Sequence, residues 1–474
     1  MGETFRVGET KVRPGVYHRY VNATEATASA NYDGIGACTI KSNWGPLAAV
    51  KTVYSIDDAT ALYGSGGASG TIAVAEQMFK GGISTLRIKR LGTGGTKGTI
   101  TLKDASSVSA ITVTAKYEGS RAFRYAIKSV LGDETKREFD VYEGSVLLEK
   151  LKFAVAESGE VDNLIAAGAA SKYFDFVKAS GYSGTAKVAL VPSTDFTAGT
   201  DPTVSNAEYS AAFTALEPYR FNAICVDTNE TAVHALLAAY VDRAYEGGKN
   251  CFGVVGEPTT IALETRQQHA AAYNDYKIVY VGDGFMISDT TIGGYLAAAR
   301  VAGLVAAVPS SESLTHRTLT DATDITEILT NSQIIECINS GMIVFTASST
   351  GAVWIEDGIT TLINPGANDD AGWKKIKRAK TRMELLTRAD DVTEPMIGKV
   401  GNTPDGRATV VKALQGLCND MIAEDKLLAG ATATTDAAHT PTGDSAWFAI
   451  AVDDIDALEK VYLTYQFRFT PETA

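Results

Sequence analysis

The spacing of apolar and polar positions changes several times along the chain, and each change marks a different kind of element. Near the end, Val461, Leu463, Tyr465, Phe467 and Phe469 fall on one face, and Tyr462, Thr464, Gln466, Arg468 and Thr470 on the other. That strict period of two predicts a strand. A strand in the last few residues has to pair its backbone with an earlier segment or with another molecule. Near the other end, KVRPGVYHRYV carries Val12, Pro14, Gly15, Val16 and Tyr17. Pro14 moves Arg13 out of helical geometry, Gly15 supplies a turn or hinge, and Val16 and Tyr17 begin a short strand. Segments 1–25 and 457–474 therefore read as extended arms.

Between the arms the period keeps shifting. In 26–92, short strands accompany one helix in TIAVAEQMFKGG, where Ile72, Ala75, Met78 and Phe79 share a face and Gly81 and Gly82 stop it. From 93 to 184, short alternating runs split by Gly, Ser and Asp predict a separate β-rich module, inserted between Gly-rich turns. From 185 to 348 the runs KVALVPS, FNAICVD, NCFGVVG and KIVYVG are compact and apolar, with helical segments between them. One of these helices places Val233, Leu236, Leu237, Tyr240, Val241 and Ala244 at helical spacing behind capping candidates Asp227, Thr228 and Asn229. Apolar strands alternating with helices indicate a mostly parallel sheet covered on both faces. In 349–456, AVWIEDGITTLI predicts a strand pair, SAWFAIAV a further strand, and Trp373, Ile376, Ala379, Met383 and Leu386 the inward stripe of a helix. The fold class is multidomain α/β and α+β: an α/β core, an inserted small β-rich domain, and terminal strand arms.

Length agrees, since 474 residues at roughly 100–200 per domain suggest about three modules. A net charge of −13 disfavours non-specific binding to nucleic acid or an anionic membrane. The first residues carry charge with no apolar run behind them, so the chain reads as made and kept in the cytoplasm. The longest apolar run, Tyr295 to Val308, contains Arg300 and falls short of the roughly 20 residues a membrane span needs, which predicts a buried helix. Five scattered cysteines without a CxxC pair predict reduced, buried thiols, neither a disulfide framework nor a zinc site.

No catalytic, cofactor or metal constellation emerges. The loops GSGGASG and GTGGTKG lack the spacing and the following helix that a phosphate cradle requires, and read as connectors. The histidines His18, His234, His269, His316 and His439 share no ligand spacing, and no GxSxG elbow is present. Asp283 in VGDGF follows an apolar strand, where a doubly wound enzyme places its site, although a turn explains the stretch equally well. Asp453, Asp454 and Asp456 read as a solvated turn. The basic run Lys374–Arg382, with Lys374, Lys375, Lys377 and Arg378 opposite the apolar stripe, has no interleaved aromatics to stack bases. It is either a solvated face or a docking face for an acidic protein.

Several stretches together resemble the contractile-tail sheath proteins of phages and phage-tail-like bacteriocins, especially those of Gram-positive bacteria. They are KVRPGVYHRYV, SNWGP at Ser42, GGISTLRIKRL at Gly81, AKYEGSRAFRYAI at Ala115, VWIEDGITTL at Val353 and the closing DIDALEKVYLTYQF. They span the chain in the family's order. Arg121-Ala122-Phe123 departs from the family's usual Arg-Gly-Asn-like turn, inside the inserted module. The resemblance implies a non-enzymatic subunit without cofactors that stacks as hexameric rings in a helical sheath around an inner tube and contracts when a baseplate triggers it. It implies that both arms complete the sheets of neighbouring subunits, that the C-terminal domain lies nearest the tube and the inserted module outside. Lys374, Lys375, Lys377 and Arg378 then become tube-contact candidates, with Pro14-Gly15 and Asp453–Asp456 as hinges. Implied partners are further copies, the tube protein, and baseplate and terminator proteins, in a phage tail or a released tailocin. The alternative from the residues alone is an α/β enzyme with a ligand loop at Asp283.

Overall fold

The run Ile35–Ile40 is almost entirely buried, which suits a strand covered on both faces. In this computed structural model, which describes residues 3–4, 17–18, 32–367 and 369–468, that strand lies inside a seven-stranded sheet. Thr85–Arg90 and Ala223–Cys225 flank it in parallel. Phe252–Gly256, Ile278–Val281 and Met342–Ile343 extend the parallel run, and Lys51–Val53 closes the other edge antiparallel to Thr85–Arg90.

Alternate residues of these strands feed two apolar clusters. Cys38, Leu86, Cys225 and Val254 pack in one cluster with residues of the helices Ala73–Lys80 and Tyr295–Ala307. Ala37, Ile224, Val255 and Tyr280 pack in the other with residues of Asn206–Leu216 and Thr231–Glu246. The first helix pair touches backbone to backbone. A Cβ on Gly303 would stand 2.3 Å from the Met78 carbonyl oxygen and 2.9 Å from Gly81 Cα, so only glycine permits this crossing. Arg300, buried in the same helix, donates to Gln77 and pairs with Asp321 at 2.7 Å. All five cysteines are buried and free.

The β-rich module consists of a four-stranded and a three-stranded sheet around one aromatic core. It extends further than the 93–184 expected. KVALVPS does not enter the central sheet; Val191–Asp195 pairs antiparallel with Phe123–Val130, and bridges Thr96 to Thr200 and Thr93 to Thr203 close the module's neck. Trp44, from the central-sheet region, inserts edge-on against Tyr117 and Phe123 of the module. Arg90 binds the carbonyls of Ser42, Gly45 and Glu118 across the same junction.

Further differences are local. Val353–Ile355 pairs backward with Phe345–Ala347, not with the residues after it, so the expected edge at 348 cuts a β-ladder. Leu385, not Leu386, is buried on the helix Ile376–Thr393, and Leu386 is 43% exposed. Asn229 caps a different helix from the one expected: its Oδ1 accepts the Tyr295 N–H. Asp227 is no cap either, since its carboxylate is buried and accepts the hydroxyls of Thr39, Thr71 and Tyr209.

The C-terminal part packs Ile376–Thr393 against Pro404–Ala423, followed by a two-stranded sheet of Thr432–Thr435 and Phe448–Ala451. Contacts divide the chain into residues 1–32 and 33–474. In the first unit Glu3–Thr4 pairs in parallel with Tyr17–His18. Val12, Pro14, Gly15 and Val16 of the expected arm, and its hinge, lie outside the described residues, as does Phe469.

Candidate assembly surface

The helix Ile376–Thr393 puts Ile376, Ala379 and Met383 into the core, so the cations between them face other directions at helical spacing. They do not face solvent. Arg378 and Arg382, one turn apart, both reach Asp454, with Nη2 to Oδ1 distances of 3.0 and 2.9 Å. Lys377 donates to the Ile455 carbonyl. Lys375 pairs with Asp456 at 2.8 Å and Glu459 at 2.7 Å. Lys374 donates to the Ile338 carbonyl at 3.0 Å. Lys380 is buried and binds Asp33 at 2.7 Å and the last carbonyls of Tyr295–Ala307, where a cation complements the helix dipole.

The charge states follow from these contacts. Burial opposes ionisation of Asp454, yet hydrogen bonds and charge from Arg378 and Arg382 hold its carboxyl below the usual range. Burial likewise opposes ionisation of Asp456, and Lys375 holds it low. Lys374 and Lys377 are pushed down by burial. Asp357 is pushed up, first by burial and then by nearby Glu459. Thr315 Oγ1 lies 3.3 Å from the Asp357 carboxylate and 3.0 Å from that of Glu459.

One sequence expectation is corrected here. Asp453–Asp456 is not wholly solvated, because the Asp454 carboxylate is mostly buried and doubly paired and Leu428 N–H donates to the Asp453 carbonyl, while Asp453 and Asp456 stay exposed. Lys374, Lys375, Lys377 and Arg378 engage the chain's own acids and carbonyls. The missed signal was complementarity: a basic run and an acidic cluster in the same chain.

Past Glu459 the character reverses. Val461, Tyr462, Leu463, Tyr465 and Phe467 are 66%, 89%, 68%, 71% and 95% exposed. Residues 461–468 join no strand, and among the described residues no hydrogen bond ties them down. Tyr465 and Phe467 stack at 6.3 Å between centroids, as residues two apart on one face do.

The enzyme alternative loses its residue. The buried Asp283 carboxylate accepts the Phe345 N–H at 3.1 Å, and burial pushes its pKa up. It closes a backbone gap between strands. His234 is buried with Nε2 against the Thr228 carbonyl, and His269 Nδ1 meets Glu257. Among the described residues no group of acidic, His or Cys side chains is placed to hold a metal ion, and no helix is long and apolar enough to cross a membrane.

Residues 203–361 match the family described as the phage tail sheath protein central domain. The XkdK protein of the phage-like element PBSX in Bacillus subtilis (strain 168) is 23% identical over 485 residues, spanning 98% of this chain and 99% of the relative. A sheath tail protein from Desulfitobacterium hafniense superposes with a TM-score of 0.70 at 22% identity, covering 93% of this chain and 100% of that one. The helical sheath of the anti-feeding prophage in its contracted state superposes with a TM-score of 0.55 at 12% identity, covering 97% and 99%. The central segment is thus a sheath central domain within a sheath-protein fold. The family match covers the central segment, and the likeness to sheath tail proteins over the rest of the chain is one of fold.

Proposed function

We propose that this chain is the repeating subunit of a contractile sheath, assembled in the bacterial cytoplasm as a helical stack of hexameric rings around an inner tube. The sheath contracts from a metastable extended state and drives the tube through a target envelope, as part of a phage tail or a released tailocin. Copies are linked by strand addition through the terminal arms, and tube, baseplate and terminator proteins complete the particle.

The observation that carries this reading is the exposed, unpaired, strand-patterned segment 461–468. Water-facing aromatics at period two are costly to leave free, and an added strand supplies both main-chain partners and pockets for alternate side chains. Among the described residues the sheet of Thr432–Thr435 and Phe448–Ala451 has two strands, and it offers an acceptor edge along Phe448–Ala451, the other edge being held at Ala433 by the Gln415 side chain. A head-to-tail contact of this kind that does not close generates a helix. A tube contact through Lys374, Lys375, Lys377 and Arg378 has to compete with the internal pairs.

Negative-stain electron microscopy of the full chain beside a chain ending at Glu459 tests the proposal. Tubes or stacked rings from the first and dispersed, folded particles from the second are expected. Polymers of equal length from both overturn linkage by the C-terminal arm, and compact particles from both overturn the sheath reading.

A further inference from the structure

The cations of the basic helix meet the segment before the C-terminal arm in order. Arg382 and Arg378 hold Asp454, Lys377 holds the Ile455 carbonyl, and Lys375 holds Asp456 and Glu459. Descending numbers on the helix meet ascending numbers on the segment, so the segment runs antiparallel to the helix. Its other side is held as well. Ile455 N–H donates to the Lys426 carbonyl, Leu427 bridges Asp454, and Ser313 and Thr315 hydroxyls lie 2.9 and 3.0 Å from Glu459 Oε1. Arg382 is further fixed over the Trp373 ring at 4.8 Å and by Asp370 at 3.0 Å. The grip ends at Glu459.

We propose that Lys375, Lys377, Arg378 and Arg382 are positioning residues, a track of cations that fixes the point and direction at which the C-terminal arm leaves the subunit. The pivot is then Glu459-Lys460, and only the chain beyond it swings when neighbouring copies change their spacing. This rests on the reading of 461–468 as a linking arm, and it moves the expected hinge from Asp453–Asp456 to the far side of the track. Ion pairs suit the task, because they specify register along an otherwise polar segment and resist a pull without burying the arm's apolar residues.

Hydrogen exchange read by mass spectrometry on the unassembled full chain tests this. In the wild type, amides of 453–459 are expected to exchange at least about tenfold more slowly than those of 461–468. In Arg378→Gln with Arg382→Gln the 453–459 amides approach the arm's rate, while Phe252–Gly256 and Ile278–Val281 keep theirs. Arg378→Lys and Lys375→Arg retain most of the protection, whereas Lys375→Gln does not. Equal exchange of 453–459 and 461–468 in the wild type, which needs no variant, overturns the proposal, as does unchanged protection in the double variant. Electron microscopy of the same preparation after it is moved to assembly conditions separates the two ideas: a protected root in a chain that then forms no polymer leaves the track standing and removes the sheath reading, and polymers from a chain whose root was unprotected do the reverse.

Discussion

Two adjacent stretches, 453–459 and 461–468, invert the usual rule of burial. The first is acidic and pinned, with Asp454 nearly buried between two arginines; the second is aromatic and aliphatic, and lies in water. A chain folding for its own stability alone would bury the second and solvate the first. The difference separates two tasks. On the proposed reading, charge and hydrogen bonds place the root, where register matters, and apolar surface is left for a partner, where area matters.

The comparison breaks most completely if the apolar stretch is removed. A chain ending at Glu459 should lose all polymer while its unfolding free energy changes by under ~0.5 kcal/mol, because the side chains of 460–468 are exposed. Denaturant titration and microscopy of one preparation check both halves. Breaking the pinned stretch is next. Asp454→Ala leaves two partly buried guanidiniums without their acid and should cost about 1–3 kcal/mol in chemical denaturation.

A smaller effect comes from pH. Asp357, held above its ordinary range by burial and Glu459 and eased by Lys375 and Lys374, takes up a proton more readily folded than unfolded. Its contribution to stability therefore grows as pH falls from neutrality through its raised value. The opposite sign applies to Asp454 and Asp456, whose lowered values keep their pairs until the pH drops below the usual carboxylate range. Melting temperatures should rise slightly and then fall on acidification. Asp357→Asn should reduce the rise, leaving the part that Asp283 contributes, and spare the fall. Smallest of all, Leu463→Ser should leave monomer stability within ~0.5 kcal/mol of wild type while weakening assembly measurably by sedimentation.

Much of this was legible in the residues. The mixed α/β, multidomain character followed from changes of period, and runs such as Phe252–Gly256 and Ile278–Val281 are buried strands, as their continuous apolarity implies. The helix from Ala73 ends before Gly81 and Gly82, as their position predicts. What escaped is non-local. Nothing around Asn229 says that its carbonyl oxygen caps the Tyr295 helix, and the apolar run at Lys187 has no feature that assigns it to one sheet over another. Charge was misread for the same reason. Lys374–Arg382 and Asp453–Asp456 each look solvated alone, and only tertiary structure brings them together.

The route of the chain through the central sheet has a consequence for synthesis. Ile35–Ile40 pairs with Ala223–Cys225, and the Thr39 hydroxyl bonds an aspartate 188 residues later. On the ribosome, the early strand must wait with an unpaired edge while the whole β-rich module emerges. Trp44 needs that module's aromatic core before it is covered. Contacts this distant in sequence form slowly and leave sticky intermediates. The nascent polypeptide is thus most prone to misassembly before Ala223 clears the exit tunnel.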